Sequence, residues 1–179
     1  MKSITLKGET ADPKQLRSAL GRFATGVTIV TTQTPGGRLE GLTVNSFSAL
    51  SLDPPLILWS IRQSAYSLPS FLAAKGFAIN VLSARQHALC QHFATPCADK
   101  FEAISFAPGM AGYPVFPESL AVFECETEST VEGGDHLIFI GRVVGAAYRD
   151  GDPLVFSSGE YCVPVKHRMP VEELQRVLA

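Results

Sequence analysis

Residues 120–148 read LAVFECETESTVEGGDHLIFIGRVVGAAY: two extended segments rich in β-branched and aromatic residues, separated by VEGGD. Gly133 and Gly134 can take the positive φ that a tight turn demands, so the stretch reads as a long β-hairpin. The flanking chain repeats the theme. GVTIVTT (26–32) is β-branched almost throughout, PGGR (35–38) supplies a turn, LEGLTVNSF (39–47) resumes an extended pattern, and PPLILWSI (54–61) is an apolar run of strand length. GFAINVL (76–82) and PLVFSSGEYC (153–162) read as two more strands.

Helices interrupt this framework. DPKQLRSALGRF (12–23) opens with Asp-Pro and repeats apolar residues at Leu16, Leu20 and Phe23, the spacing of one helical face. YSLPSFLAA (66–74) reads as a short helix despite Pro69, and SARQHALCQHFA (83–94) as a helix capped by Ser83 with Leu89 and Phe93 on one face. PVEELQRVL (170–178) predicts a C-terminal helix. Many short antiparallel strands with few helices imply a mainly β protein with a closed or sandwiched core, because closure removes exposed edges. The 179 residues fit one domain, 1–179, with its core over about 16–161, and no internal repeat or linker divides them.

Composition narrows the function. A hydrophobic fraction of 46% with 18% charge describes a globular chain, and a mean hydropathy of +0.16 favours a buried subunit interface. A net charge of −2, with no dense Lys/Arg run, offers no field for a nucleic-acid backbone. No apolar run approaches the roughly 20 residues that span a bilayer, and the N-terminal segment lacks a signal-peptide core, which places the chain in the cytoplasm. Cys90, Cys97, Cys125 and Cys162 form no C-x-x-C pair and read as reduced thiols. His87 and His92 lie five apart on a helix, on different faces, so no metal site is expected. Dinucleotide-binding glycine fingerprints, phosphate loops, zinc-protease and serine-hydrolase motifs are all missing from the sequence.

One stretch breaks the apolar pattern. TVNSFS (43–48) gathers small hydrogen-bonding side chains, and buried polar groups cost about 1–3 kcal/mol each unless paired. It therefore lies at the surface or meets a polar ligand. On an unbroken strand Thr43, Asn45 and Phe47 would share one face and Val44, Ser46 and Ser48 the other.

RFATGVTIVTT, GLTVNSFSALSLDPPLILWSI, FAINVLSARQHALCQHFA, DKF and LAVFECETESTVEGGDHLIFIGRVV occur in that order. Together they resemble the flavin reductase family with an FMN-binding split barrel, over roughly Leu16 to Tyr161. The resemblance implies a six-stranded antiparallel Greek-key split barrel, homodimeric, with FMN or FAD near the subunit interface and NADH or NADPH as electron donor. It also implies that reduced flavin passes to a partner monooxygenase acting on an aromatic compound. A flavin-binding electron carrier or sensor without nicotinamide turnover is the alternative, since a fold does not settle function.

By the same resemblance Thr43, Val44, Asn45 and Ser46 line the flavin, whose flat ring needs a backbone-walled slot with small donors and acceptors on one rim. Ser60, Arg62, Ser64 and Ser67, in SIRQSAYS, suit its phosphate and ribityl tail, with an exposed turn that merely caps a helix at Ser64 as the lesser alternative. Phe93, Lys100 and Phe101 approach the flavin. His136, after the Gly-Gly turn, is the residue expected at the nicotinamide and the one catalytic assignment, with Tyr161 nearby.

Overall fold

The computed structural model describes residues 12–165, Ala98 excepted, so the C-terminal helix expected over 170–178 lies outside the described residues. In chain order the elements are α1 (Pro13–Leu20), β1 (Thr25–Gly26), β2 (Thr28–Gln33), β3 (Leu39–Val44), β4 (Ser48–Leu52), β5 (Pro55–Arg62), α2 (Leu68–Ala73), β6 (Gly76–Val81), a 3-10 turn (Ala84–Gln86), α3 (His87–Ala94), β7 (Ala107–Pro108), β8 (Pro114–Val115), β9 (Ala121–Gly133), β10 (His136–Tyr148), β11 (Val155–Ser157) and β12 (Glu160–Cys162). The expected hairpin is β9–β10. Its turn is Gly134-Asp135, and only Gly134 of the glycine pair uses a positive φ, +65°.

The main sheet is antiparallel throughout, in the order β3-β2-β6-β9-β10-β5-β4. Its two ends, β3 and β4, are consecutive in the chain and separated only by Asn45, Ser46 and Phe47. They form one strand broken in the middle, whose first half pairs with β2 and whose second half pairs with β5. Seven segments thus make the six-stranded split barrel. The Ser46 hydroxyl bridges the break, donating to the Ser60 carbonyl and accepting from the Ser60 N–H, both at 3.0 Å. The break also shifts the side-chain phase: Val44 and Phe47, three residues apart, both pack on the barrel interior. Phe47 therefore does not share the face of Thr43, as an unbroken strand would require.

The interior is aromatic. Ile57, Trp59 and Ile61 alternate inward along β5. The Trp59 ring stacks on Phe139 at 4.9 Å and meets the edges of Phe71 and Phe77 at 5.0 and 5.6 Å. A second cluster, including Ile29, Leu82, Phe93, Phe101 and Phe116, lies on the other side of β2, where α3 packs. Buried on both faces, β2 shows no inside–outside alternation, which is consistent with GVTIVTT being β-branched almost throughout. Asn80 pins the following loop to the sheet: its Nδ2 donates to Ile29 O at 3.2 Å, and its Oδ1 accepts the Phe116 N–H at 3.0 Å.

Three expectations change. PLVFSSGEYC is two short strands, β11 and β12, forming a separate sheet with β1 in the order β1-β11-β12, because Ser158 and Gly159 turn the chain with positive φ. The helix of 83–94 begins as a 3-10 turn, with the Ser83 N–H donating to Gln86 Oε1 at 3.0 Å. Helix α1 forms, but Leu16, Leu20 and Phe23 are exposed at 38, 66 and 79%, so among the described residues its apolar stripe is only partly covered.

No disulfide links the four cysteines: Cys97 and Cys162 are exposed, whereas Cys90 and Cys125 are buried. Burial, and secondarily the charge of Glu124, push the Cys125 thiol up to about 12. Because the thiolate is the reactive form, a chromogenic disulfide reagent at about pH 8 should titrate two thiols quickly in native protein and the other two only in denaturant.

Candidate active site

The site follows from the split. Strand β3 ends the sheet, so among the described residues one of its edges has no strand partner. Backbone groups on a strand alternate between its two edges, and Gly41 sets the phase: its N–H takes Glu40 Oε1 at 3.2 Å and its carbonyl takes Lys100 Nζ at 3.2 Å. The N–H and C=O of Leu39 and Thr43 face the same open side. Alongside runs a groove of about 940 Å³, lined by Gly37 to Glu40, Leu42 and Thr43 on one side, by Tyr66 and Ser67, and by residues of 93–101. That volume falls within the roughly 300–1,000 Å³ of small-molecule sites.

The aromatic end is built around a glycine. A Cβ on Gly41 would sit 2.7 Å from the Phe93 ring and 3.3 Å from Phe101, so only glycine lets both rings lie against the strand. Phe93 and Phe101 meet edge to face at 5.2 Å. The loop carrying Lys100 is tied down twice. Asp99 Oδ1 accepts the N–H groups of Phe101 and Glu102 at 2.9 and 3.2 Å, and His92 Nε2 lies 2.7 Å from Lys100 O. Lys100 Nζ then donates to Phe93 O at 2.7 Å as well as to Gly41 O, fastening α3 to the open strand. Burial pulls this ammonium below its ordinary pKa, against the raising effect of Glu40.

The mouth is charged. Glu40, although 7% exposed, carries a carboxylate that receives Gly41 N–H, Ser70 Oγ at 3.5 Å and Arg38 Nη2 at 3.4 Å. The Arg38 guanidinium stands over the Tyr66 ring, 5.5 Å from its centroid. An open β-edge, a groove backed by the buried Phe93–Phe101 pair and a half-exposed guanidinium fit a flat heterocycle bearing a phosphate.

The expected residues divide between two places. Thr43, Ser67, Phe93, Lys100 and Phe101 line the groove. Ser60, Arg62 and His136 lie on the barrel's outer face, with Arg62 directly opposite His136 and Ser60 opposite Ile138. His136 Nδ1 is 2.6 Å from Asp135 Oδ1, and this bond is the main cause holding the Asp135 carboxyl below its ordinary pKa. Ser64 is exposed beyond the end of β5. Val44 points into the barrel, Asn45 is exposed at the break, and the Ser46 hydroxyl is committed to Ser60. Tyr161 lies behind α3, where its hydroxyl accepts from Cys90 Sγ at 3.3 Å and its ring lies 4.7 Å from His87. The Thr43 hydroxyl donates to the Cys90 carbonyl at 2.7 Å, so both residues also brace that helix.

Sequence reasoning missed Arg38, Glu40 and Tyr66. The signal was available for the first two: they flank the start of an edge strand directly after a Gly-Gly turn. Among the described residues no cluster of His, Cys, Asp and Glu could hold a metal, and no helix is long and apolar enough to cross a membrane.

A family model described as a flavin reductase like domain matches residues 20–164. The FMN reductase (NADH) SmoA of Agrobacterium fabrum is 48% identical over 148 residues, covering 83% of this chain and 84% of that protein. HsaB of Rhodococcus jostii, the reductase subunit of a flavin-dependent monooxygenase, is 38% identical, with 86% and 78% covered. Among solved structures, the NADH:FAD oxidoreductase SgcE6 of Streptomyces globisporus C-1027 superimposes with a TM-score of 0.82 at 34% identity, covering 93% of this chain and 99% of that one.

Proposed function

The chain belongs to the flavin reductase family, and from that premise we propose that it is an NAD(P)H:flavin oxidoreductase that supplies reduced flavin to a partner monooxygenase. The observation that carries this reading is the groove along the open edge of β3, with Arg38 and Lys100 in its lining and the buried Phe93–Phe101 pair behind it. FMN or FAD, when bound, supplies the acceptor for the hydride of NADH or NADPH. The chain's own part is positioning: the buried pair Phe93 and Phe101 backs the groove, the N–H and C=O of Thr43 meet the polar edge of the ring, and Lys100 fastens α3 to the open strand. Val44, Asn45 and Ser46 shape the end of the groove through the backbone of the break. Hydride transfer needs no side chain to act as acid or base, so rate enhancement rests on alignment.

Ser60, Arg62 and Ser64 belong, in this reading, with His136 on the donor side. The Arg62–His136 pair offers a charged fork and an imidazole whose Nε2 stays available, suited to the carboxamide and phosphates of a nicotinamide nucleotide. Tyr161, which the resemblance also assigns to the donor, packs instead against Cys90 and His87 of α3. A second copy of the chain would bring the two groups together. Support for a homodimer comes from the exposed stripe Leu16, Leu20 and Phe23 and from Leu50 and Leu52, exposed at 47 and 94% on β4. We read the core, about residues 16–161, as one domain of this type acting in the cytoplasm. An aromatic compound as the oxygenase's substrate rests on the family resemblance alone.

Steady-state oxidation of NADH and of NADPH with FMN, FAD and riboflavin tests the activity and both cofactor choices. Turnover is expected with at least one pair. Flavin binding without oxidation of either donor would overturn it in favour of an electron carrier or sensor. Light scattering at micromolar concentration should give a dimeric mass, and a monomer that binds flavin fully would refute the shared site.

A further inference from the structure

The groove's mouth carries a guanidinium that the resemblance does not assign. Arg38 enters β3 just after Gly37, whose φ of +83° turns the chain back along the strand. Its side chain is 52% exposed, yet it is held from two directions: by the Glu40 carboxylate, 9% exposed, and by the face of Tyr66. Glu40 is itself fixed by Gly41 N–H and Ser70 Oγ. With one hydrogen bond from Nη2 to Glu40 and a side chain half exposed, the guanidinium keeps surface on which to receive a ligand.

Charge accounting singles it out. Of the described cations lining the groove, Lys100 spends its ammonium on two backbone carbonyls, which leaves Arg38 as the available charge. Arg62 stands across the barrel face beside His136 and outside the lining. The spacing is also suitable. Arg38 and Thr43 are five strand steps apart, about 16 Å at about 3.3 Å per residue, room for a tricyclic ring at one end and a phosphate on a ribityl chain at the other.

We propose that Arg38 binds the flavin's phosphate, with Tyr66 as its shelf and Glu40 as the positioning residue, so that this groove discriminates phosphorylated flavins from riboflavin. The assignment rests on the reading of the groove as the flavin site. Guanidinium is the group best matched to phosphate, because its planar fork gives two parallel charged hydrogen bonds.

The test is a titration of the full chain with FMN and with riboflavin, followed by flavin fluorescence, for the unmutated protein and for Arg38→Met, Arg38→Lys and Arg62→Met. The unmutated chain should prefer FMN. Arg38→Met should weaken FMN binding about 10-fold or more and riboflavin binding by less than about twofold, with a flatter dependence of FMN affinity on salt. Arg38→Lys, which keeps the charge and loses the fork, should fall between, and Arg62→Met should leave the FMN-to-riboflavin ratio unchanged. An unchanged thermal midpoint controls for folding. Equal losses on both flavins, no loss, or a loss that appears in Arg62→Met instead would overturn the assignment while leaving the groove as the flavin site. Binding of neither flavin by the unmutated chain would remove the groove reading and the Arg38 assignment with it.

Discussion

Replacing His136 with Ala should lower the rate of flavin reduction by NADH on the order of 100-fold, or raise KM for NADH comparably, because a small misalignment of reacting groups is that costly. The imidazole sits at the first residue of β10, directly after the two-residue turn, and its Nδ1 is tethered to Asp135, which fixes the ring and turns Nε2 outward. Neither role is required by the hairpin itself, whose turn is made by Gly134. Flavin affinity should change little. Stopped-flow reduction combined with a flavin titration separates the two effects. A mutant that loses flavin yet keeps its NADH kinetics on added free flavin would move His136 to the flavin side, and an unfolded mutant would return it to the scaffold.

The largest stability effect is expected at Trp59, and its size should depend on what replaces it. The side chain is fully buried among Phe71, Phe77 and Phe139, so Trp59→Ala opens a cavity in the barrel and should cost roughly 3–5 kcal/mol. In a chain of this length that lowers the melting temperature by about 10 °C. The indole Nε1, however, is buried without a hydrogen-bond partner. Trp59→Phe deletes that stranded donor along with some apolar area, and the two changes oppose each other. Its cost should stay below about 2 kcal/mol. Urea unfolding of both variants checks the comparison, and equal costs would contradict the picture of an unpaired indole.

The sequence carried the hairpins well because their signals are local. VEGGD, PGGR and the apolar run PPLILWSI each specify a turn or a strand within a few residues. The break at 45–47 could not be read that way. Asn, Ser and Phe are compatible with an extended strand, and what bends the chain there is the capture of the Ser46 hydroxyl by Ser60, a contact decided by the far side of the barrel. The same limit applied to PLVFSSGEYC, where Ser158 takes a positive φ that its residue type does not announce. At the site, Lys100 and Phe101 were legible from the motif DKF, whereas Arg38 and Tyr66 come together only through folding. The exposed stripe on α1 shows the converse case, a correct local pattern that the described residues leave largely uncovered.

The open edge of β3 has a further consequence for how the protein behaves at high concentration. An unpaired strand edge is a template on which another strand can zip up, which is how many sheet proteins aggregate. Here the edge is interrupted at Gly41 by a carboxylate on its N–H and an ammonium on its carbonyl, from Glu40 and Lys100. Charged groups seated on the exposed backbone leave an incoming strand no continuous ladder to extend. The two side chains that shape the groove for a small ligand therefore also guard it against another polypeptide, and a ligand lying along Leu39 and Thr43 would cover the remainder of the edge.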